Sequence, residues 1–175
     1  APNQTETELQ AQETKTKTTQ RRPISQIQGA QHRSPLEGQT VTNVYGIVTG
    51  ITGSGFYLQD PKQDLDERTS EGIFIATQKV STIKVGDEVL IASGVVKEFN
   101  PAGAGNNSLT ITQIHTNDIN FLSKGNPLPV PIVLGEGGRT IPNQVITNDV
   151  NGYAGKSRLF DPQEDGLDFY ESLEG

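Results

Sequence analysis

The stretch GFYLQD places two aromatic side chains next to each other, directly after a Gly-Ser-Gly turn. If the stretch is a β-strand, successive side chains point to opposite faces of the sheet. Phe56 and Leu58 then share the buried face, whereas Tyr57 and Gln59 share the other. An outward tyrosine can stack on a nucleobase, which contributes about 1–3 kcal/mol per base. The alternative is that Tyr57 packs beneath the proline-rich residues 127–131.

Further candidates for nucleic-acid contacts lie at the ends of two more predicted strands. Lys97, Phe99 and Asn100 stand at the start of the uncharged loop NPAGAGNN, and five-stranded barrels use a loop at this position to clamp ligands. Arg68 and Lys79 flank the third strand and could pair with phosphates. The alternatives are an ordinary hairpin loop and cations that only keep the surface soluble.

Carboxylates cluster in the sequence DPKQDLDERTSEG, between the second and third predicted strands. Asp60, Asp64, Asp66 and Glu67 could supply several of the roughly six to eight oxygen ligands that Ca²⁺ takes. The spacing lacks the alternation of an EF-hand loop, and a solvated acidic loop is the alternative. The later sequence DPQEDGLD, with Asp161, Glu164, Asp165 and Asp168, is a second candidate for such a cation. It favours instead a turn whose carboxylates accept hydrogen bonds from local backbone N–H groups. Ca²⁺ is therefore the one candidate cofactor.

Nothing in the sequence forms a recognisable catalytic constellation. The histidines His32 and His115 have no cysteine nearby, and a surface or edge position is the expectation for both. The chain has no Cys, which excludes disulfides, thiol nucleophiles and thiolate metal sites. The turn at 53–55 is not followed by a helix, as a nucleophile elbow requires, and GEGGRT lacks the lysine of a phosphate-binding loop. We therefore expect a binding or structural module rather than an enzyme.

The charge balance works against nucleic-acid binding. The 175 residues include 21 acidic and 14 basic side chains, a formal net charge of −7. Affinity for nucleic acid comes largely from Lys and Arg, which displace the counterions of the phosphates. A bound cation or a basic neighbouring domain would have to offset this deficit. The lack of cysteine and an apolar content of 32% fit a secreted β-rich domain with irregular flanks.

The pattern of β-branched residues predicts five strands, which position these candidates. The strands cover residues 40–51, 55–60, 71–77, 86–99 and 108–122. Glycines at positions 46 and 94, and the pair Asn117-Asp118, interrupt the three long strands and indicate bulges or bends. Long strands that bend can pair on both sides and close a sheet, so we predict an all-β, five-stranded OB-fold-like barrel. A flat meander or a partial sandwich is the alternative.

The flanking segments differ in composition from the strands. Residues 1–23 hold one large apolar side chain, which predicts a disordered linker. Residues 24–123 are predicted to form the barrel, which begins with a helical turn at ISQIQG. Residues 78–85 leave room for at most one helical turn between the third and fourth strands. The proline- and glycine-rich residues 124–159 predict an extended strap, because proline cannot occupy a central strand. Residues 160–175 indicate the start of a following, truncated unit.

Six stretches carry a family resemblance: SPLEGQTVTNVYGIVTGI, GFYLQDP, SEGIFIAT, VGDEVLIASGVVKEF, GNPLPVPIVL and FDPQEDGLDFYESLEG. In this order they resemble the OB-fold module of large bacterial extracellular nucleases, over roughly residues 24–175. In that family the module precedes a metal-dependent catalytic domain of the endonuclease/exonuclease/phosphatase type, which nothing in this chain matches. The resemblance implies an extracellular or cell-surface accessory domain, beside a hydrolase domain of the same chain.

Two hypotheses of function follow. The first is an accessory nucleic-acid-binding module that holds single-stranded DNA or RNA near the catalytic domain, by stacking on Tyr57 or Phe99 with help from Lys97, Arg68 and Lys79. Because a stacking surface accepts any base, little sequence specificity is expected. The second is a structural domain that packs on the catalytic domain without touching nucleic acid, which the net charge favours. In both cases we expect a monomer. We also expect no membrane span, since no apolar run approaches the roughly 18 residues that a spanning helix requires.

Overall fold

The computed structural model describes residues 20–103, 105, 108–149 and 159–175. It contains five strands and three short helical segments in these ranges. The strands are β1 (Thr40–Ile51), β2 (Gly55–Gln59), β3 (Gly72–Ala76), β4 (Glu88–Phe99) and β5 (Ile111–Ser123). The helices are α1 (Ile24–Gln28), a single 3₁₀ turn (Val80–Thr82) and α2 (Gly166–Glu171). None of the described helices is long and apolar enough to cross a membrane.

The five strands form one sheet that closes on itself in the order β1-β2-β3-β5-β4. Neighbouring strands run antiparallel except for β3 and β5, which are parallel. The all-β prediction is confirmed, and each strand lies within three residues of its predicted start and two of its predicted end. The short connection after β3 holds only the 3₁₀ turn, as its length predicted.

The long strands bend so that each can pair with two neighbours. β1 pairs with β4 through its first two thirds and with β2 through its end. The register of β4 against β5 shifts around Gly94, where the sequence predicted a bend. The predicted bulge at Gly46 is wrong in position, because Gly46 stays in register with Val89 and the shift lies between Val48 and Gly50. Gly46 instead allows a close approach, since a Cβ there would collide with the Gln59 carbonyl.

The core lies inside the closed sheet. Phe56 and Leu58 are fully buried in it, which confirms the predicted inward face of β2. Ile24 and Ile27 of α1 join the same cluster, so the short helix plugs one end of the sheet. Its last residue ties it to β3, because Gln28 Nε2 donates to the Gly72 carbonyl at 2.6 Å.

The C-terminal segment packs on the sheet, and its assignment as the start of a following unit stays a prediction. The Ser70 hydroxyl donates to the Glu174 carbonyl, and the Thr112 backbone N–H donates to Glu174 Oε1 at 2.5 Å. The backbone of Gly175 lies directly against Gly72. Phe169 of α2 is buried. We call this region, where residues 159–175 meet β3 and the start of β5, the covered end.

Candidate nucleic-acid interface

Four side chains form a row across four neighbouring strands on the outer side of the sheet. Tyr57 pairs with Phe74, Phe74 with Gln113, and Gln113 with Lys97. Residues opposite each other in a ladder point to the same side of the sheet. The neighbours of these residues in sequence, such as Ile75 and Ile114, belong to the core, so the row lies on the outer side of the sheet. Tyr57 and Lys97 are exposed, whereas Phe74 and Gln113 are each only 8% exposed. We call these four residues the transverse row.

Tyr57 is held in a fixed orientation but keeps an accessible ring. Its ring meets Phe74 edge-to-face, with centroids 5.1 Å apart and planes at 68°. On the neighbouring strand β1, a Cβ on Gly50 would lie 3.2 Å from Tyr57 Cδ2, so the ring packs closely over Gly50. Tyr57 is still 38% exposed. A nucleobase could therefore stack on a ring that is already ordered.

The strap contacts the loop between β2 and β3 and does not bury Tyr57. Gln63 Nε2, in the loop between β2 and β3, donates to the Val130 carbonyl at 3.1 Å. The side chains of Leu128 and Val130 are 52% and 74% exposed. The apolar side chains of the strap thus lie mostly in solvent, and Tyr57 keeps its accessible surface.

The predicted residues of β4 extend the same surface. Lys97 is exposed and stands opposite Gln113. Phe99 stands opposite Ile111 and is 49% exposed. Asn100 follows directly, and its Oδ1 accepts a hydrogen bond from the Ala102 backbone at 2.9 Å, which turns the chain into the β4–β5 loop. Residues 104, 106 and 107 of that loop lie outside the described residues.

His115 lies beside Lys97 on this surface and belongs to β5, as expected. Its Nε2 is 3.2 Å from Gln113 Oε1. Burial lowers the pKa of the His115 imidazole, and the neighbouring Lys97 ammonium lowers that pKa further. Both effects disfavour the imidazolium, so this histidine contributes hydrogen-bonding atoms rather than charge near neutral pH.

The remaining predicted contacts are split between the two ends of the sheet. Lys79 is exposed and follows β3. Arg68 lies at the opposite end, where its Nε and Nη2 donate to the two oxygens of Asp66 at 2.9 and 2.7 Å. Gln59 stands opposite Gly72, next to the covered end. The structure therefore brings together Tyr57, Lys97, Phe99 and Asn100, places Lys79 at one edge, and occupies Arg68 with an ion pair.

The outward positions of these strand segments carry no carboxylate. This surface, which we call the open face, comprises eleven described positions from four strands: Gly55, Tyr57, Gln59, Phe74, Ala76, Val95, Lys97, Phe99, Ile111, Gln113 and His115. Gly72, the remaining outward position of β3, is covered by the backbone of Gly175. The adjacent Glu98 points to the inner side, where its Oε1 accepts from the Ser34 backbone at 2.7 Å. The net charge of −7 is therefore not spread evenly over the molecule.

The carboxylates of the predicted calcium loop each have partners within the chain. Asp60 is buried and forms an ion pair with Arg21. Asp64 Oδ1 accepts from the Asp66 backbone at 2.8 Å, and Asp66 is held by Arg68, whose hydrogen bonds lower the pKa of that carboxyl. Glu67 Oε2 accepts weakly from Gln163 at 3.4 Å. These contacts shape the loop and link it to the C-terminal segment, and the calcium site there stays a prediction.

The described residues bring potential metal ligands together elsewhere, at the covered end. His32, expected at the surface, is instead 1% exposed, and its Nε2 lies 2.6 Å from Asp168 Oδ1. Ligand atoms of His32, Asp149 and Asp168 lie within 4.8 Å of one another, and so do those of Asp161, Asp165 and Asp168. Burial raises the pKa of the Asp168 carboxyl. The arrangement could hold a divalent cation or serve as a buried hydrogen-bonded pair.

Sequence reasoning missed two kinds of residue. His32 and Asp168 are 136 positions apart, so no local spacing could reveal their contact. Phe74 and Gln113 were not among the candidates, although the period of two in EGIFIAT and SLTITQIH would have placed both on the side opposite the core. What the sequence could not supply is the register that aligns them with Tyr57 and Lys97.

The comparisons with known proteins concern the C-terminal part of the chain. A family model described as a domain of unknown function (DUF8508) matches residues 133–175. These residues include the end of the strap and α2 but none of the five strands. No curated protein and no solved structure matches the chain. This family match thus covers the end of the strap and the C-terminal segment and does not reach the strands of the open face.

Proposed function

We propose that this chain is an accessory nucleic-acid-binding module of the OB-fold type. The observation that carries the proposal is the transverse row, an ordered but accessible tyrosine and an exposed lysine on a face without carboxylates. Aromatic rings that stack on bases and cations that follow the backbone are the two elements of single-strand binding.

The strand order supports the OB-fold part of the proposal. OB-folds in general are five-stranded Greek-key barrels. They bind oligonucleotides on the face of strands 2 and 3, together with the loops that join strands 1 and 2 and strands 4 and 5. In this chain Tyr57 and Phe74 lie on those two strands. Phe99 and Asn100 lead into the β4–β5 loop. The candidate residues therefore lie where a barrel of this type presents its ligand surface.

The mechanism is stacking assisted by local charge. A base stacked on Tyr57 contributes about 1–3 kcal/mol, and Phe99 offers a second ring on the same face. Lys97, between them on the sheet, would pair with a phosphate and release a counterion. Duplex DNA keeps its bases stacked on one another, so the proposal favours single-stranded DNA or RNA.

The resemblance to secreted nucleases supplies the setting of the proposal. There, the module would hold nucleic acid near a metal-dependent nuclease domain of the same chain, outside the cell. Catalysis would belong to that domain, because the eleven described positions of the open face include no carboxylate, Ser, Thr or Cys. The role of this module would be to raise the local concentration of substrate.

Fluorescence anisotropy with a labelled single-stranded oligonucleotide tests the proposal. The titration is performed at low salt with the 175-residue chain and its Tyr57→Ala variant, with and without Ca²⁺. Tyr170→Ala is the matched control, because Tyr170 is also an exposed tyrosine in an edge-to-face pair, but at the covered end. We expect Tyr57→Ala to weaken binding by about 5- to 150-fold and Tyr170→Ala to leave it unchanged. Absence of salt-sensitive binding by the unmodified chain would refute the proposal.

A structural role is the second candidate, and the strap favours it. Val130, Val133 and Ile146 are 74%, 54% and 79% exposed. Apolar side chains that recur along one exposed segment are typical of surfaces that another protein covers. In this case Val130→Ser and Ile146→Ser would weaken association with the catalytic domain while leaving oligonucleotide binding intact, which pull-down of the separately produced domain would measure.

A further inference from the structure

One end of the open face opens into a recess that the transverse row does not use. The next row of outward positions, Gly55, Ala76 and His115, holds small residues on β2 and β3. Ala76 and His115 line a cavity of about 720 Å³ together with Ser54, Thr77 and Asn117, whereas the Phe74 ring covers Gly55. We call this cavity the end recess. It is a shallow depression that is wide open to solvent.

The amide of Asn117 has a fixed orientation at the edge of this recess. Its Oδ1 accepts hydrogen bonds from the Gln78 backbone N–H at 3.1 Å and from the Thr77 hydroxyl at 3.0 Å. A backbone N–H can only donate, so the atom facing it must be the oxygen rather than the nitrogen of the amide. Both lone pairs of Oδ1 therefore accept hydrogen bonds within the chain. The exposed side chain can bind a ligand only by donating its two Nδ2 hydrogens.

Thr77, which holds the Asn117 amide, is itself fixed by hydrogen bonds. The Thr77 backbone N–H donates to the Ser54 carbonyl at 3.1 Å, which joins the β1–β2 turn to the end of β3. The Lys79 backbone N–H donates to the Thr77 hydroxyl at 3.2 Å. Asn117 is therefore held by a connected set of hydrogen bonds, and its donors have a defined position before any ligand arrives.

We propose that the end recess receives one nucleobase of the bound strand and selects bases that present carbonyl acceptors, thymine or uracil and guanine, over adenine. This inference rests on the proposed function and adds base selectivity to it. An asparagine recognises adenine by donating to N7 and accepting from the N6 amino group. Asn117 lacks the free acceptor for that second contact. Its Nδ2 hydrogens can instead donate to O4 of thymine or uracil, or to O6 or N7 of guanine. On these major-groove edges no amino donor stands beside the acceptor, as N6 stands beside N7 of adenine.

The test compares oligo-dT with oligo-dA of equal length by competition anisotropy. Because adenine runs stack on themselves, a preference for oligo-dT alone does not demonstrate base selection. The informative quantity is the change that Asn117→Asp makes in the ratio of the two Kd values. This variant keeps an acceptor oxygen for Thr77 and Gln78 but replaces the donors by a second acceptor. We expect the ratio to shift toward oligo-dA by at least about fivefold.

The control carries the same change of charge outside the recess. Asn120 is an exposed asparagine on the same strand, opposite Leu90. Asn120→Asp should weaken both oligonucleotides by the same factor and leave the ratio unchanged. If Asn117→Asp also leaves the ratio unchanged while the unmodified chain binds, the base-selection inference is overturned and the proposed function stands. If the unmodified chain binds neither oligonucleotide, the proposed function itself fails.

A second measurement needs no protein variant, so it holds even if Asn117→Asp does not fold. A single 2,4-difluorotoluene nucleotide is placed at successive positions of oligo-dT, since this thymine isostere keeps the shape and lacks the carbonyl acceptors. We expect one position at which binding weakens by at least about fivefold. Equal affinity at every position would overturn the inference.

Discussion

The open face and the covered end each present a tyrosine packed edge-to-face on a phenylalanine. Tyr57 and Phe74 have centroids 5.1 Å apart, and Phe169 and Tyr170 have centroids 5.6 Å apart. On the open face the neighbours are Lys97, Gln113 and His115, whereas Phe169 lies in a segment with six carboxylates between Asp161 and Glu174. The same aromatic arrangement is thus set in opposite electrostatic surroundings.

This difference shows that aromatic residues alone do not mark a nucleic-acid surface. Phe169 is buried, and the guanidinium of Arg139 lies 5.1 Å from the centre of its ring. Arg139 also donates to the Ser172 hydroxyl at 2.8 Å, so this cation is engaged in internal packing at the covered end. The net charge of −7 averages over two regions that differ in local charge.

The largest effect is expected at the covered end, from Phe169→Ala. Removing a buried phenylalanine side chain costs about 3–5 kcal/mol. We expect this loss in urea denaturation followed by circular dichroism, with Tyr170→Ala, whose ring is 63% exposed, changing the free energy of unfolding far less. Equal effects of the two variants would show that α2 does not pack on the sheet as described.

A pH dependence of stability should also arise at the covered end. Burial raises the pKa of the Glu171 carboxyl to about 9, and repulsion from Glu174 adds to the rise. The folded state therefore keeps a proton that the unfolded carboxyl, with its pKa near 4.5, has lost. Stability should fall as the pH rises from about 5 to about 9, because in this window the folded state binds more protons.

Glu171→Gln measures that contribution, because glutamine mimics the protonated carboxyl. Denaturation midpoints between pH 5 and 9 should fall less steeply with pH for this variant, which should also be more stable than the parent at the alkaline end. Glu164→Gln, at an exposed position of the same segment, is the control and should keep the parental slope. A parental slope in Glu171→Gln would contradict the assignment.

On the open face, Lys97→Gln should change the salt dependence of binding. Each phosphate neutralised on a single strand adds about 0.7 to the slope of log K against log salt concentration. We expect the slope to decrease by about this amount, measured by anisotropy over a series of salt concentrations. Lys124→Gln is the control, since Lys124 lies over the Phe121 ring, away from the open face. Equal slopes for both variants would show that Lys97 does not contact a phosphate.

The smallest effect is expected from Phe99→Ala, at the margin of the same face. Phe99 is 49% exposed and its strand partner is Ile111, so its loss should hardly change stability. If a second base stacks there, affinity should fall by about fivefold, the lower limit for one stacked base. Unchanged affinity would restrict stacking to Tyr57.

The sequence was informative where local patterns determine structure. Alternation placed Phe56 and Leu58 in the core and Tyr57 outside, and the mid-strand Gly94 marked a real bend. It was uninformative where contacts join distant positions. The pairing of His32 with Asp168, the docking of Glu174 on Thr112 and the alignment of Tyr57 with Lys97 depend on how the sheet closes.

Mapping of backbone amide shifts by NMR tests the central distinction most directly. The labelled chain is titrated with a single-stranded oligonucleotide at low salt, and shift changes are assigned to β2, β3, residues 95–99 and 111–115, or to residues 159–175. We predict salt-sensitive changes centred on Tyr57, Phe74, Gln113 and Lys97, with little change in α2. Changes concentrated in the C-terminal segment, or none at saturating oligonucleotide, would contradict the account.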